Sequence, residues 1–354
     1  MKWNYQALLR GNVKRRLIGS AVALAVLGAG YYGFQLQYPA DKTARVCSGM
    51  LPVDPVLSLA GKSKLSLLGL GFHVSSKQFD VSSDVTEPSG LATTCDVDGV
   101  VISIETTSGA HNAYGFYSFQ RDQESFPVPL DAGWQGFMVT DEDEATASVL
   151  LSCKNWTPEE GSGILVVGES PYGREATQAV RLDLARTVTG AAQRAAEKTG
   201  CATEPGDSGK LTAPAAEATT VPASDATGTC KGMTASKKVR ETAAGTSPAE
   251  ECLLVGGLQL AAAYGPFSDA SQAVVNGKYG GHDTPSGVDR STAWTSATCP
   301  GALGIGYYHA SPVEGSDRKF SSDPLTKEER ADLEHFAEQS AARHGCSTPT
   351  GSAP

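Results

Sequence analysis

Short runs of apolar residues, bounded by Gly, Asp and Pro, recur in the same order twice along the chain. In the first pass, Thr93–Val97 and Val100–Ile104 flank Asp98-Gly99, which predicts strand, tight turn, strand. Ala147–Cys153 and Ile164–Val167 read as buried strands, the second ending at Ser170-Pro171. Val180, Leu184, Val188 and Ala192 then recur about every four residues, predicting a helix that Gly200 stops. In the second pass, Glu251–Val255 and Leu258–Leu260 flank Gly256-Gly257. Thr292–Cys299 and Leu303–Tyr308 follow, ending at Ser311-Pro312. A last helix starts at Leu325–Glu329, where Thr326 and Glu329 have capping-box spacing, and Gly345 stops it.

Cysteines mark the same duplication. Cys47, Cys95, Cys153 and Cys201 lie in one copy, and Cys230, Cys252, Cys299 and Cys346 in the other. Each copy opens on Cys-x-Gly-Met (Cys47–Met50, Cys230–Met233) and closes on Gly-Cys. Eight cysteines with no Cys-x-x-Cys predict disulfides in an oxidising compartment rather than a zinc or thioredoxin-like site. Four cysteines allow three pairings. The repeat favours first with fourth and second with third: Cys47–Cys201, Cys95–Cys153, Cys230–Cys346 and Cys252–Cys299.

The predicted fold is α+β. Two tandem, duplicated, disulfide-bonded domains each hold a mostly antiparallel sheet with flanking helices, behind one N-terminal transmembrane helix. Residues 1–16 form a basic cytoplasmic segment, 17–37 a signal anchor and 38–46 a tether. Domains at 47–201 and 230–346 are joined by a flexible linker at 202–229, rich in Ala, Thr, Pro, Ser and Gly, and followed by a disordered tail at 347–354. The anchor rests on the apolar run from Leu17 to Phe34 behind Lys2, Arg10, Lys14, Arg15 and Arg16. A cleaved signal peptide is the alternative, but Tyr31-Tyr32-Gly33-Phe34 carries the apolar run past the small-residue site at Leu27–Gly30. Ala21, Ala25, Ala29 and Gly33 place small residues on one helix face, as a homodimer would use.

Charge narrows the partners. Taking the five N-terminal cations from the chain's 29 basic residues leaves 24 against 39 acidic ones, a net of −15 outside the membrane. That surface repels phosphate backbones, so nucleic acid is not an expected partner.

Candidate chemistry is sparse. Gly206–Lys210 resembles both a serine-protease segment and a phosphate loop, but it sits in the linker and lacks the glycine a phosphate loop needs at Glu204. His282-Asp283 reads as turn residues, and Asp141–Glu144 as a solvated turn rather than a calcium loop. Asn155-Trp156-Thr157 is a glycosylation sequon, in a composition that looks bacterial. No cofactor, metal or catalytic constellation is read. The best ligand-binding candidates are Tyr114, Phe116, Tyr117 and Trp134, in an aromatic-rich stretch with Phe119 and Phe137 that the second copy lacks.

The arrangement resembles actinobacterial single-span envelope proteins with a basic N-terminus, one anchor and small cysteine-paired domains. The resemblance implies a cell-envelope location and assigns no residue a role. A non-enzymatic binding or scaffold protein is the leading expectation, its partner an envelope protein or cell-wall component. A ligand sensor acting through a partner and an envelope hydrolase are the alternatives.

Overall fold

The computed structural model describes residues 20–31, 39–62, 72–78, 91–107, 125–141, 144–157, 162–269, 271, 284–289, 291–313, 316–320 and 322–351. Two seven-stranded sheets dominate it, and every neighbouring pair of strands is antiparallel. Sheet 1 holds β1 (Val74–Gln78), β2 (Ala92–Val97), β3 (Val100–Thr106), β4 (Val128–Pro129), β5 (Gly136–Thr140), β6 (Ala145–Ser152) and β7 (Gly163–Glu169), in the order β1-β2-β3-β7-β6-β5-β4. Sheet 2 holds β8 (Thr219–Pro222), β9 (Lys238–Glu241), β10 (Ala249–Leu254), β11 (Leu258–Tyr264), β12 (Ser286–Val288), β13 (Ala293–Thr298) and β14 (Ile305–Pro312), in the order β12-β13-β14-β11-β10-β9-β8.

The two orders fit an internal repeat. A shared run β1-β2-β3-β7-β6-β5 matches β9-β10-β11-β14-β13-β12, and each half adds one edge strand, β4 or β8, at opposite ends. The Asp98-Gly99 turn forms as read, with both residues at positive φ (52° and 89°), the backbone a two-residue hairpin requires.

Helices α1 (20–31) and α2 (39–45) precede the first sheet. Helix α3 (Val53–Leu59) and the long α4 (Gln178–Thr199) follow in the first half, and α5 (Lys327–Arg343) closes the second. Val180, Leu184, Val188 and Ala192 of α4 join Ile102, Ile104, Val149 and Val166 in one core. Leu333, Phe336, Ala337 and Ala341 of α5 join Leu260, Ala262, Tyr264 and Tyr308 in another. Gly200 ends α4 in the left-handed conformation (φ 67°), and Thr326 and Glu329 close the capping box of α5.

The bridges are Cys47–Cys95, Cys153–Cys201, Cys230–Cys252 and Cys299–Cys346. They overturn the expected first-to-fourth and second-to-third pairing. Cys95 lies on β2 and Cys153 just past β6, and two strands, β3 and β7, stand between them. At about 4.8 Å per strand that is roughly 14 Å, beyond the ~7 Å reach of a disulfide between Cα atoms. The same two-strand gap, β11 and β14, separates Cys252 from Cys299. Each half therefore joins its opening segment to the β2 or β10 hairpin, and the C-terminus of its long helix to the chain after β6 or β13.

Residues 202–229 are not a free linker. Thr219–Pro222 is edge strand β8, Leu211 is buried in the first core and Ala226 in the second. Thr212 donates through its backbone N–H to Asp131 (3.1 Å), and Arg181 Nε donates to Pro214 O (2.8 Å). A stretch poor in large side chains is held through its backbone, which hydropathy does not register. Two smaller expectations change for the same reason. The tether contains α2, with Pro39 and Thr43 buried. The tail lies along β13 at 347–350, where Ser347 N–H donates to Thr298 O (2.8 Å) and Thr350 N–H to Ser296 O (2.9 Å).

The halves also touch directly. Phe137, Val139, Leu165 and Val167, on the face of sheet 1 turned away from α4, pack with Ala249, Ala263 and Phe267 of the second half. The Phe137 and Phe267 rings meet edge-on at 5.1 Å, and Ala302 N–H donates to Ser152 Oγ at 3.0 Å. Among the described residues no helix is long and apolar enough to cross a membrane. The expected anchor at 17–37 is described at 20–31 only, as helix α1 with Val22, Leu24, Val26 and Leu27 each more than half exposed. Ala21, Ala25 and Ala29 lie on α1; Gly33 is outside the described residues.

Candidate functional site

Ala132 and Gly133, both at positive φ (59° and 82°), reverse the chain after Asp131 and turn Trp134 inward. The tip of this turn accepts the Asp207 N–H at Ala132 O (2.9 Å), which lays the segment after Cys201 across it. We call residues 202–218 the strap. Gly206 of the strap sits so close to the indole that a Cβ there would lie 2.5 Å from Trp134 Cδ1. Only a glycine allows that approach.

Two concavities flank the turn, each walled by the first half, the strap and the second half. The larger, about 260 Å³, is lined by Trp134, Gln135, Leu150, Leu151, Ser152 and Lys154 of the first half, Thr203–Gly206 of the strap and Thr246 of the second half. The smaller, about 220 Å³, lies between Val128–Asp131, strap residues 212–217 and Glu241–Ala243. Two of its three carboxylates are occupied: Asp131 accepts from Thr212, and Glu241 accepts the backbone N–H groups of Thr227, Gly228 and Cys230 at 3.0, 2.9 and 3.1 Å; the third, Glu217, is exposed.

Trp134 is 1% exposed, and its Nε1–H has no hydrogen-bond partner among the described residues. At the rim, Lys154 Nζ and Glu204 form a 2.7 Å ion pair. The Lys154 hydrogen bond, and then its charge, hold the Glu204 carboxyl below its usual value. Both side chains are largely solvent-exposed, so the pair exchanges partners at little cost.

Of the residues singled out from sequence, Trp134 lines this cavity, but at 1% exposed it offers no open stacking face. Tyr114, Phe116 and Tyr117 lie outside the described residues, as do His282 and Asp283. Gly206–Lys210 forms an exposed turn in which Asp207 Oδ1 accepts Gly209 N–H (3.0 Å) and Asp207 pairs with Lys210 (3.1 Å). Asp141 accepts Glu144 N–H (2.8 Å); Glu142 and Asp143 lie outside the described residues. Asn155 donates to Gly200 O (2.9 Å) and accepts from Ala202 N–H (2.7 Å), so its amide fixes the start of the strap. Sequence reading missed Lys154, Glu204 and Gln135. Glu204 lay in a presumed linker, and the other two meet it only through the fold. Among the described residues, no group of three or more His, Cys, Asp or Glu side chains is placed to hold a metal ion. Comparison with protein-family models, with curated proteins and with solved structures returned no match, so the site is read from its own geometry.

Proposed function

We propose that this is a non-enzymatic, extracytoplasmic binding protein of the cell envelope, held at the membrane by its N-terminal helix, with its binding site where the strap crosses between the two sheets. The carrying observation is the concavity at Trp134, whose wall needs all three parts of the chain at once. Pre-formed concave sites between packed units are where small ligands and chain ends are usually held. Four disulfides support an oxidising location. The exposed apolar side chains of α1, behind five basic residues and no acidic one, support the anchor. The strap is hydrogen-bonded to the first half and runs directly into β8 of the second, which favours a second reading as a sensor: a bound ligand would change how the halves are joined and pass that to a membrane partner.

A photo-crosslinking residue at Thr203, compared with one at the exposed Glu328 in the first turn of α5, tests the site in intact envelopes. Adducts at position 203 and none at 328 are expected. Equal labelling at 203 and 328, or none at 203, would sink the assignment. Release of the full chain from membranes by alkaline carbonate would remove the anchor.

A further inference from the structure

We propose that Cys299–Cys346 is an exchangeable bridge, opened by a protein dithiol, that latches residues 347–351 onto the edge of β13. The proposal lies apart from the strap junction and stands whether or not that junction binds a ligand. Two observations carry it: which bridge a reductant can reach, and what its opening releases.

Thiol–disulfide exchange needs an attacking thiolate to reach a sulfur, so exposed bridges open first and enclosed ones resist. Both cysteines of Cys47–Cys95 and of Cys230–Cys252 are 0% exposed. Cys153 and Cys201 are buried at 6% and 8%, and the backbone beside Cys201 is tied down: Asn155 bonds Gly200 O and Ala202 N–H, and Lys154 N–H donates to Ala202 O at 2.8 Å. Cys346 is the one cysteine of the eight that is not buried, and its partner Cys299 is 8% exposed. Attack therefore falls on Cys346 Sγ. The reductant's thiolate forms a mixed disulfide with Cys346, and Cys299 Sγ leaves with the bonding pair and takes up a proton. The reductant's second thiol, deprotonated, then attacks its own sulfur in the mixed disulfide and releases Cys346, which takes the second proton. The bridge gains two electrons and the dithiol becomes a disulfide.

Opening releases an edge segment and leaves the core packed. Strand β12 covers β13 only along Ala293–Thr295. Beyond it residues 347–351 take over: Ser347 N–H donates to Thr298 O (2.8 Å), Thr298 N–H to Ser347 Oγ (3.1 Å) and Thr350 N–H to Ser296 O (2.9 Å). Thr295 Oγ1 donates to Thr350 O at 3.1 Å. Ser347, Thr348 and Thr350 are exposed, so the segment is held along β13 by hydrogen bonds and by the bridge at its start, with no large side chain buried. Hydrogen bonds that water can replace are worth little net, which leaves the bridge as the fastening. Once it opens, residues 296–298 become bare sheet edge, the kind of surface to which an extended strand adds.

The test treats the full chain in detergent with dithiothreitol, and separately with a reduced protein dithiol of the Cys-x-x-Cys type, for graded times, followed by alkylation and mass mapping. Cys299 and Cys346 are expected to label about tenfold faster than the other cysteines. Hydrogen exchange on the same samples should show the Ser347 and Thr350 amides losing protection while those of β6 and β7 keep theirs. The double variant Cys299→Ser, Cys346→Ser should show the same two amides unprotected without reductant and unresponsive to it. Cys153 and Cys201 labelling as fast, or every cysteine labelling together, would overturn the choice of bridge. Selective labelling with Ser347 and Thr350 still protected would overturn the latch. Opening by dithiothreitol and not by the protein dithiol would overturn the partner class.

Discussion

Replacing Glu241 by glutamine should loosen the second half at its entry. The Glu241 carboxylate is 5% exposed and accepts three backbone N–H groups. Oε1 takes Thr227, and Oε2 takes Gly228 and Cys230. A glutamine offers one acceptor oxygen. Set at the Oε2 position, it keeps Gly228 and Cys230 as neutral bonds, and its NH2 must face the Thr227 N–H. One buried donor then loses its acceptor, at about 1–3 kcal/mol. The two remaining bonds lose charge assistance, roughly half their strength each. The total is about 3 kcal/mol. Hydrogen exchange reads the effect where it arises: amides 227, 228 and 230 should lose protection in Glu241→Gln while those of β6 and β7 keep theirs. Urea unfolding should show a lower midpoint at unchanged slope. Unaltered protection at the three amides, with a loss under about 0.5 kcal/mol, would show that the carboxylate is not what orders residues 227–230.

Non-reducing peptide mapping should return Cys47–Cys95, Cys153–Cys201, Cys230–Cys252 and Cys299–Cys346, and any second-to-third fragment, Cys95–Cys153 or Cys252–Cys299, would contradict the strand order. Replacing both Cys153 and Cys201 by alanine opens a 48-residue span and should cost about 4 kcal/mol on the chain-entropy estimate, read from urea unfolding. Glu251 supplies a pH signature. Burial pushes its carboxyl up from 4.5 to about 7, against the opposing hydrogen bond from Gln259 and charge of Arg240. Between those values the folded state binds the proton more tightly than the unfolded chain, so this group's contribution to stability falls as pH rises. The Tm advantage of Glu251→Gln over the parent should therefore grow from about pH 4.5 to about pH 7 and then level off, and a difference independent of pH would refute it.

What could be read from sequence divides along a physical line. Elements specified by their own side-chain pattern were legible: the Asp98-Gly99 hairpin, the apolar strands at 147–153 and 164–167, the α4 stripe of Val180, Leu184 and Val188, and the Thr326–Glu329 cap. The repeat was legible because the turn after the second cysteine and the spacing of the last two cysteines, 48 and 47 residues, match in the two copies. The disulfide pairing was not, because β3 and β7 separate Cys95 from Cys153, and lateral strand order is not written in any local pattern. The strap was not, because Thr212, Pro214 and Ala216 are held by backbone groups bonded to Asp131, Arg181 and Thr140. The site was half legible. Trp134 stood out as an aromatic, but its burial depends on Gly206 crossing above it, and the Lys154–Glu204 pair joins residues 50 apart in sequence.

The strand at Thr219–Pro222 changes what a separated second copy would be. The repeat in sequence opens at Cys230, yet the sheet it belongs to opens at β8, which pairs with β9 along Thr219–Glu241 to Pro222–Lys238. A fragment cut where the repeat begins would bare the β9 edge and take Thr227 and Gly228 away from Glu241, leaving a buried anion beside an open row of backbone donors and acceptors. Such an edge recruits strands from other molecules. The duplicated half thus depends on its predecessor's trailing residues for solubility, and a β8 that slips out of one molecule finds its natural substitute in the β8 of another.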